Sequence, residues 1–290
     1  HFNCRHAGTC VCRVLAFLLV LFMAQRSHAG DPRLQWFTIA TPHFRIHYHG
    51  GLEPQAQRAA QASEQLLTYL ERWLGQPTSS RTEIVLTDAS DWSNGFATVL
   101  PYSAIVLYIT APDDMSALNE YDDWLPTLMA HEQTHIVHID QVAGIPAFIS
   151  TILGKQFAPN QLQPHWLLEG LAVYAESHLT GSGRLHSTVF DMYMRADVLD
   201  EQFATLDQIT HVPRRWPGAM LWYLYGSKFI EFLVQTYGES IFASMAADTA
   251  DDITPFAVNR PFHRVTGRTY PEVYRAFKSA TARRVQQQLA

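Results

Sequence analysis

Two short segments constrain this chain more than any other feature: His131-Glu132-Gln133-Thr134-His135, and Trp166-Leu167-Leu168-Glu169-Gly170-Leu171-Ala172-Val173-Tyr174. Residues i and i+4 of an α-helix lie about 40° apart around the axis and one turn along it. On a helix, His131 and His135 therefore aim imidazole nitrogens at one point. Glu132 projects beside them, close enough to take a proton from a molecule held there but not to ligate. The flanking residues favour a helix. Asp122 and Asp123 offer an acidic N-terminus, Pro126 lies in the first turn, and Gly144 and Pro146 end the pattern. Leu125, Leu128, Met129, Ile136 and Val137 provide its packing positions.

The second segment also reads as a helix. Pro164 suits the first turn, and Leu167, Leu168, Leu171 and Val173 give apolar faces. Gly170 permits close approach of another backbone. A carboxylate flanked by Trp166, Leu167 and Leu168 is expected to be partly buried, and a buried carboxylate needs a partner. A metal ion shared with the histidines is one such partner; an arginine is the other. Two imidazoles, a distal carboxylate and a carboxylate base make a complete hydrolytic zinc site, because zinc lowers the pKa of bound water to about 7. The plainer alternative is an amphipathic helix with two surface histidines, in a chain that has 14.

HExxH followed by W-L-x-E-G-x-A-x-Y resembles the gluzincin branch of the zinc metallopeptidases, where the thermolysin-like and membrane-alanyl-type aminopeptidases belong. The likeness covers about residues 80 to 240 in order of elements. It implies one Zn2+ held by His131, His135 and Glu169, with Glu132 as general base. Tyr223-Leu224-Tyr225-Gly226 is similar to the aminopeptidase Y-x-x-G, which implies that Tyr223 stabilises the oxyanion. A phenol O–H aimed at that oxygen stabilises charge that develops only in the transition state. An ordinary core aromatic is the alternative among 12 tyrosines.

The chain also departs from that family. Positions 136 to 168 place 33 residues between His135 and Glu169, longer than the aminopeptidase spacer. The stretch from Gly144 to Pro164 reads as a loop or a short hairpin-helix excursion. The aminopeptidase G-x-M-E-N segment, which reads the substrate's free amine, is replaced by Ser93-Asn94-Gly95-Phe96-Ala97. Endopeptidase action is therefore favoured over aminopeptidase action. Among the neighbours, Asp140 is placed to orient a ligand imidazole, and Glu176 shares a face with Glu169. His138 lies about 10 Å along the axis from His131, too far to share the ion.

The N-terminus reads as a signal peptide over residues 1–29. Arg5 and Arg13 are basic, Val14 to Ala24 is an apolar run too short to span a membrane comfortably, and Ser27-His28-Ala29 fits a cleavage site. The expected product is exported, periplasmic or secreted. Cys4, Cys10 and Cys12 all precede the cleavage site, so no disulfide is needed and no thiol competes for zinc. Cleavage leaves 18 basic against 27 acidic residues, a charge of −9 in place of −6. An acidic chain without a basic stripe is a poor nucleic-acid binder, so the expected partner is a peptide or protein substrate. No other segment approaches a transmembrane length.

Residues 30–290 then form one metallopeptidase domain, with a sheet-containing lobe over about 30–142 and a helical lobe over about 143–290. Strands are expected at Phe44–His49, Thr82–Thr87 and Ala104–Thr110, with a turn at Asn94-Gly95. Helices are expected at Glu53–Leu74, Met192–Leu199, Met220–Tyr237 and Tyr270–Leu289. His47 and His49 read as residues on the solvent face of their strand. The fold class is α+β and zincin-like: an N-terminal mixed-sheet lobe with the active-site helix, then a helical C-terminal lobe. An edge strand near Thr98 to Tyr108 is expected to pair with the substrate backbone. Such chains also resemble the front part of longer bacterial envelope proteins that continue into a β-propeller. Two functions follow: an exported zinc peptidase, or a catalytically weak zincin-fold module acting in binding or envelope assembly. Retention of Glu132 favours the enzyme, since a scaffold does not need the base.

Overall fold

Alternating burial builds a sheet at the N-terminal end of the described chain. The structure is a computed structural model that describes residues 31, 33–75, 81–113, 123–254 and 257–290. The signal-peptide expectation lies outside these residues. Residues Trp36–Ala290 make up one compact unit.

Five strands, β1 (Trp36–Ala40), β2 (Phe44–His49), β3 (Thr82–Thr87), β4 (Asn94–Thr98) and β5 (Ala104–Tyr108), form a mixed sheet in the order β1-β2-β3-β5-β4. β2, β3 and β5 run parallel; the edges β1 and β4 are antiparallel to their neighbours. Ile46, Ile84, Leu86, Ile105 and Leu107 point from these strands into the core. Helix α1 (Glu53–Leu74) packs Ala56, Ala59, Leu67, Leu70 and Leu74 into the same core and stops at Gly75, whose left-handed backbone caps it. Helix α2 (Trp124–Ile139) contacts α1, β4 and β5.

The remainder is helical: α3 (Gly144–Leu153), α4 (His165–Thr180), α5 (Thr188–Leu199), α6 (Leu206–Thr210), α7 (Met220–Tyr237), α8 (Ser240–Thr249), α9 (Asn259–Thr266) and α10 (Tyr270–Leu289). The α+β class expected from the sequence is the class observed. No described helix is by itself long and apolar enough to cross a membrane.

Several local expectations need correction. Asn94 and Gly95 do not make a turn; they open β4, whose ladder to β5 pairs Asn94 with Tyr108 and Gly95 with Leu107. The edge strand on this side of the sheet is thus β4, while β5 lies inside the sheet between β3 and β4. Of the two readings of Gly144 to Pro164, the loop gives way to a helical excursion: α3 covers Gly144–Leu153, with Ile145, Phe148, Ile152 and Leu153 exposed on it, and a short 3-10 turn follows at Pro159–Leu162. His49 is not on a solvent face. Only 5% exposed, it lies edge-on to Trp36 of the unforeseen strand β1 and bonds Asp88 Oδ1 at 2.8 Å.

Helices α4 and α7 make the most extensive interhelical contact among the described residues. α4 is buried almost all round, from Trp166 to Ser177, as expected of a helix with apolar residues on every face. Gly170 and Gly226 meet at the crossing. A Cβ on Gly170 would lie 2.6 Å from the Gly226 carbonyl carbon, and a Cβ on Gly226 would strike the Trp166 carbonyl oxygen. Neither backbone can withdraw without unpacking Trp166 and Phe229, whose rings are 5.0 Å apart. Gly170→Ala is therefore expected to destabilise the protein by about 1–3 kcal/mol through overpacking. Urea unfolding measures this, and an unchanged midpoint would show that the helices do not touch there.

Candidate functional site

Burial decides which polar groups of α2 and α4 must find partners. His131 and Glu132 are 3% and 4% exposed, and the carboxylate of Glu176 has no exposed surface. The one-turn spacing of His131 and His135 brings their Nε2 atoms to 3.3 Å. Glu169 on α4 closes the group, with Oε2 at 3.2 Å from His131 Nε2 and 3.5 Å from His135 Nε2. These three residues form a cluster able to hold a metal ion. Tetrahedral zinc with bonds near 2.0–2.1 Å separates its ligands by about 3.3 Å, which is the size of this triangle. The donor set of two imidazoles and a carboxylate is also one that zinc takes in catalytic sites.

A second carboxylate stands behind the first histidine. His131 Nδ1 donates to Glu176 Oε2 at 2.9 Å, which turns Nε2 toward Glu169 and His135. Burial and the Arg184 charge push the His131 imidazole down. Its hydrogen bonds to Glu169 and Glu176, with the Glu176 charge, outweigh them and raise it to about 9. Burial also disfavours the charged form of Glu176, but the Arg184 guanidinium and the bond from His131 hold it down at about 2. Glu169 is likewise opposed by burial, yet the neighbouring imidazoles keep it well below the ordinary carboxylate range.

Glu132 behaves differently. Burial lifts its carboxyl, and the nearby His131 and His135 only partly offset this. A carboxylate raised toward neutrality is a better general base than a fully stabilised one. Its rotamer is confined by β4: a Cβ on Gly95 would lie 2.9 Å from Glu132 Oε1. The apparent turn signal Asn94-Gly95 thus supplies a strand residue with no side chain, facing the carboxylate.

Tyr223 arrives from α7. Its ring lies 6.0 Å from that of His131, tilted by 26°. Burial and the Glu169 charge raise the phenol, against the Arg184 charge, so it stays protonated and able to donate. Asn94, Gly95, Phe96, Ala97, Leu128, His131, Glu132, His135, Glu169, Arg184 and Tyr223 line one cavity of about 340 Å³. All five residues singled out from the sequence meet there.

Two neighbours sort differently from expectation. Glu176 takes the orienting place beside His131, whereas Asp140 does not touch an imidazole. It accepts from Ser103 at 2.9 Å and pairs with Lys155. His138 is buried, and desolvation together with the His135 charge pushes it down to about 3, so it is neutral. Arg184 was not foreseen. It sits in a 3-10 turn (Arg184–His186) that follows α4. Its Nε and Nη2 donate to Glu176 Oε1 and Oε2 at 2.9 and 2.7 Å, and its Cζ lies 4.7 Å over the Tyr223 ring.

Comparison with known proteins adds outline more than detail. No protein-family model matches the chain. An uncharacterized protein of Treponema pallidum (strain Nichols) is 25% identical over 229 residues, which is 78% of this chain and 20% of that protein. The chain thus spans about a fifth of the curated relative it matches. Among solved structures, a mutant M1 zinc metallopeptidase from Deinococcus radiodurans aligns at a TM-score of 0.45 and 14% identity. It covers 87% of this chain and 52% of that one. A two-domain M1 zinc metallopeptidase mutant bound to L-tryptophan aligns at 0.43 and 15%, over 87% and 51% of the two chains.

The buried ion pair has a direct consequence. Glu176→Ala leaves Arg184 as a buried charge without its counterion, and the expected loss is about 3–5 kcal/mol. Chemical denaturation reads it. A loss under about 1 kcal/mol would mean that the Arg184 guanidinium reaches water in this protein.

Proposed function

We propose that this chain is an exported zinc-dependent metallopeptidase that hydrolyses peptide bonds. The observation that carries the proposal is the Nε2–Nε2–Oε2 triangle of His131, His135 and Glu169, with edges of 3.2 to 3.5 Å and the Glu132 carboxylate beside it. Those three residues would hold one zinc ion. Bound there, zinc supplies Lewis acidity and a water whose pKa is near 7. Glu132 takes the proton of the attacking water and returns it to the leaving amine, the two-way role that a raised carboxyl can fill. Tyr223 donates its phenolic O–H to the oxygen of the scissile carbonyl as charge grows on it. β4, the sheet edge that lines the cavity, offers backbone groups from Asn94 to Ala97 to an extended substrate.

The domain is assigned to residues 30–290, and residues 1–29 to a signal that is removed on export. Mass spectrometry of the mature protein gives the new N-terminus. In longer relatives a β-propeller is expected downstream.

The two carboxyl roles separate experimentally. Glu169→Ala reduces three ligands to two and is expected to weaken zinc binding strongly, as read by chelator competition. Glu132→Gln keeps zinc and fold but loses at least about 10²-fold in turnover, because the amide cannot accept the proton. Undiminished hydrolysis by zinc-loaded Glu132→Gln protein would refute this assignment.

Endopeptidase action is the favoured specificity. Glu132 and Glu169 are the only carboxylates lining the cavity among the described residues. Both are committed, one as base and one as ligand, so among the described lining residues no carboxylate is left to compensate the desolvation of a substrate ammonium. Two peptides of one sequence, one with a free N-terminus and one acetylated, are expected to be cut internally at similar rates. Stepwise release from the free peptide alone would reverse the specificity.

A further inference from the structure

We infer that Arg184 is a positioning residue that ties the zinc-facing histidine and the oxyanion tyrosine into one unit; this rests on the function proposed above. The route to the histidine runs through Glu176. Arg184 grips that carboxylate with Nε and Nη2, and its backbone N–H adds a third bond to Oε1 at 3.0 Å. Glu176 so held accepts from His131 Nδ1–H at 2.9 Å; Arg184 Nη2 lies 2.8 Å from the same nitrogen, a close approach of two donors and not a further hydrogen bond. The ring of His131 is thereby fixed in rotation about its own axis. The route to the tyrosine is direct. The guanidinium Cζ lies over the Tyr223 ring, 4.7 Å from its centre, so the phenol is held by a cation–π contact from the side of α4.

The turn that carries Arg184 is built for rigidity. Gly183 takes φ +118, in the region that favours glycine, and a Cβ there would come 2.5 Å from Ser177 Oγ. Ser177 Oγ instead accepts the Leu185 N–H at 3.1 Å. On the other side Lys228 of α7 donates to the Leu185 carbonyl at 2.8 Å. The arginine backbone is thus bonded to α4 and its neighbour to α7, the two helices that carry Glu169 and Tyr223. Had Arg184 served only as a counterion to Glu176, any cation on any tether would do, and the cation–π contact with Tyr223 would have no consequence.

Arg184→Lys tests the difference. Lysine keeps the charge beside Glu176 but loses the planar fork and the ring contact. The expected result is a folded protein whose zinc affinity, read by chelator competition without substrate, falls by about 10- to 100-fold. In zinc-saturated protein, kcat falls by about 10-fold or more with KM little changed. Tyr223→Phe then costs less in the Arg184→Lys background than in the wild type, because the phenol has already lost its placement. Wild-type zinc affinity and kcat in Arg184→Lys protein would overturn the inference, as would effects of the two substitutions that simply multiply. Should the lysine variant fail to fold, the pair Glu176→Gln with Arg184→Gln removes both buried charges together, and the same readouts apply. Failure of the wild type to bind zinc would strike the proposed function instead, so the two ideas fail separately.

Discussion

The carboxylate of Glu176 is enclosed on every side by protein, and the site is organised around keeping it ionised there. Taking such a group out of water costs several kcal/mol, which must be offset by good geometry. Here the offset is a paired guanidinium, a backbone N–H and an imidazole N–H. Each is held by a different constraint. Arg184 depends on its glycine-preceded turn, and His131 depends on the frame of α2. Because the carboxylate cannot be left partly unpaired, the positions of α2, α4 and the Arg184 turn are coupled. The His131 side chain inherits a single orientation from that coupling, with Nε2 directed at Glu169 and His135.

Close backbone approach supplies the second constraint. Glu169 is adjacent to Gly170, and Tyr223 lies one turn before Gly226, so the Gly170–Gly226 crossing sets how far the phenol stands from the Glu169 carboxylate. Dispersion and apolar burial along α4 and α7 stabilise the crossing. The glycines let the helices come near enough for side chains one turn away to share one cavity. Gly95 plays a similar part on the opposite wall, where a missing Cβ leaves room for the Glu132 carboxylate.

Much of the fold was legible because its strongest signals are local. β2, β3, α1, α7 and α10 run over the residues that periodicity assigned to them, and α1 ends at a glycine that takes the left-handed conformation. Failures occurred where tertiary contacts override local chemistry. β1 is largely exposed and carries little alternation, so its pairing with β2 alone makes it a strand. Asn94-Gly95 has the composition of a turn, but β5 supplies a ladder for it. His49 alternates like a surface residue until β1 covers it.

The sequence by itself determined which side chains make up the cluster able to hold a metal ion. A one-turn histidine pair and a glutamate in an apolar helix are legible because helical geometry is fixed by the backbone, whatever surrounds it. It also put Glu176 on the face of Glu169, since seven residues return a helix to nearly the same face. Tertiary structure decided which candidate was used. The sequence pointed to Asp140 as the orienting carboxylate and placed Glu176 only on the face of Glu169, but Asp140 was drawn to Lys155 and Ser103. Arg184 carried no local signal at all: its place over Tyr223 depends on the crossing of two helices and on a turn shaped by Ser177 and Lys228. The reason is physical. Backbone periodicity acts over a few residues and can be read along the chain, whereas the partner of a buried charge is selected by whatever the packed core brings within about 3 Å of it.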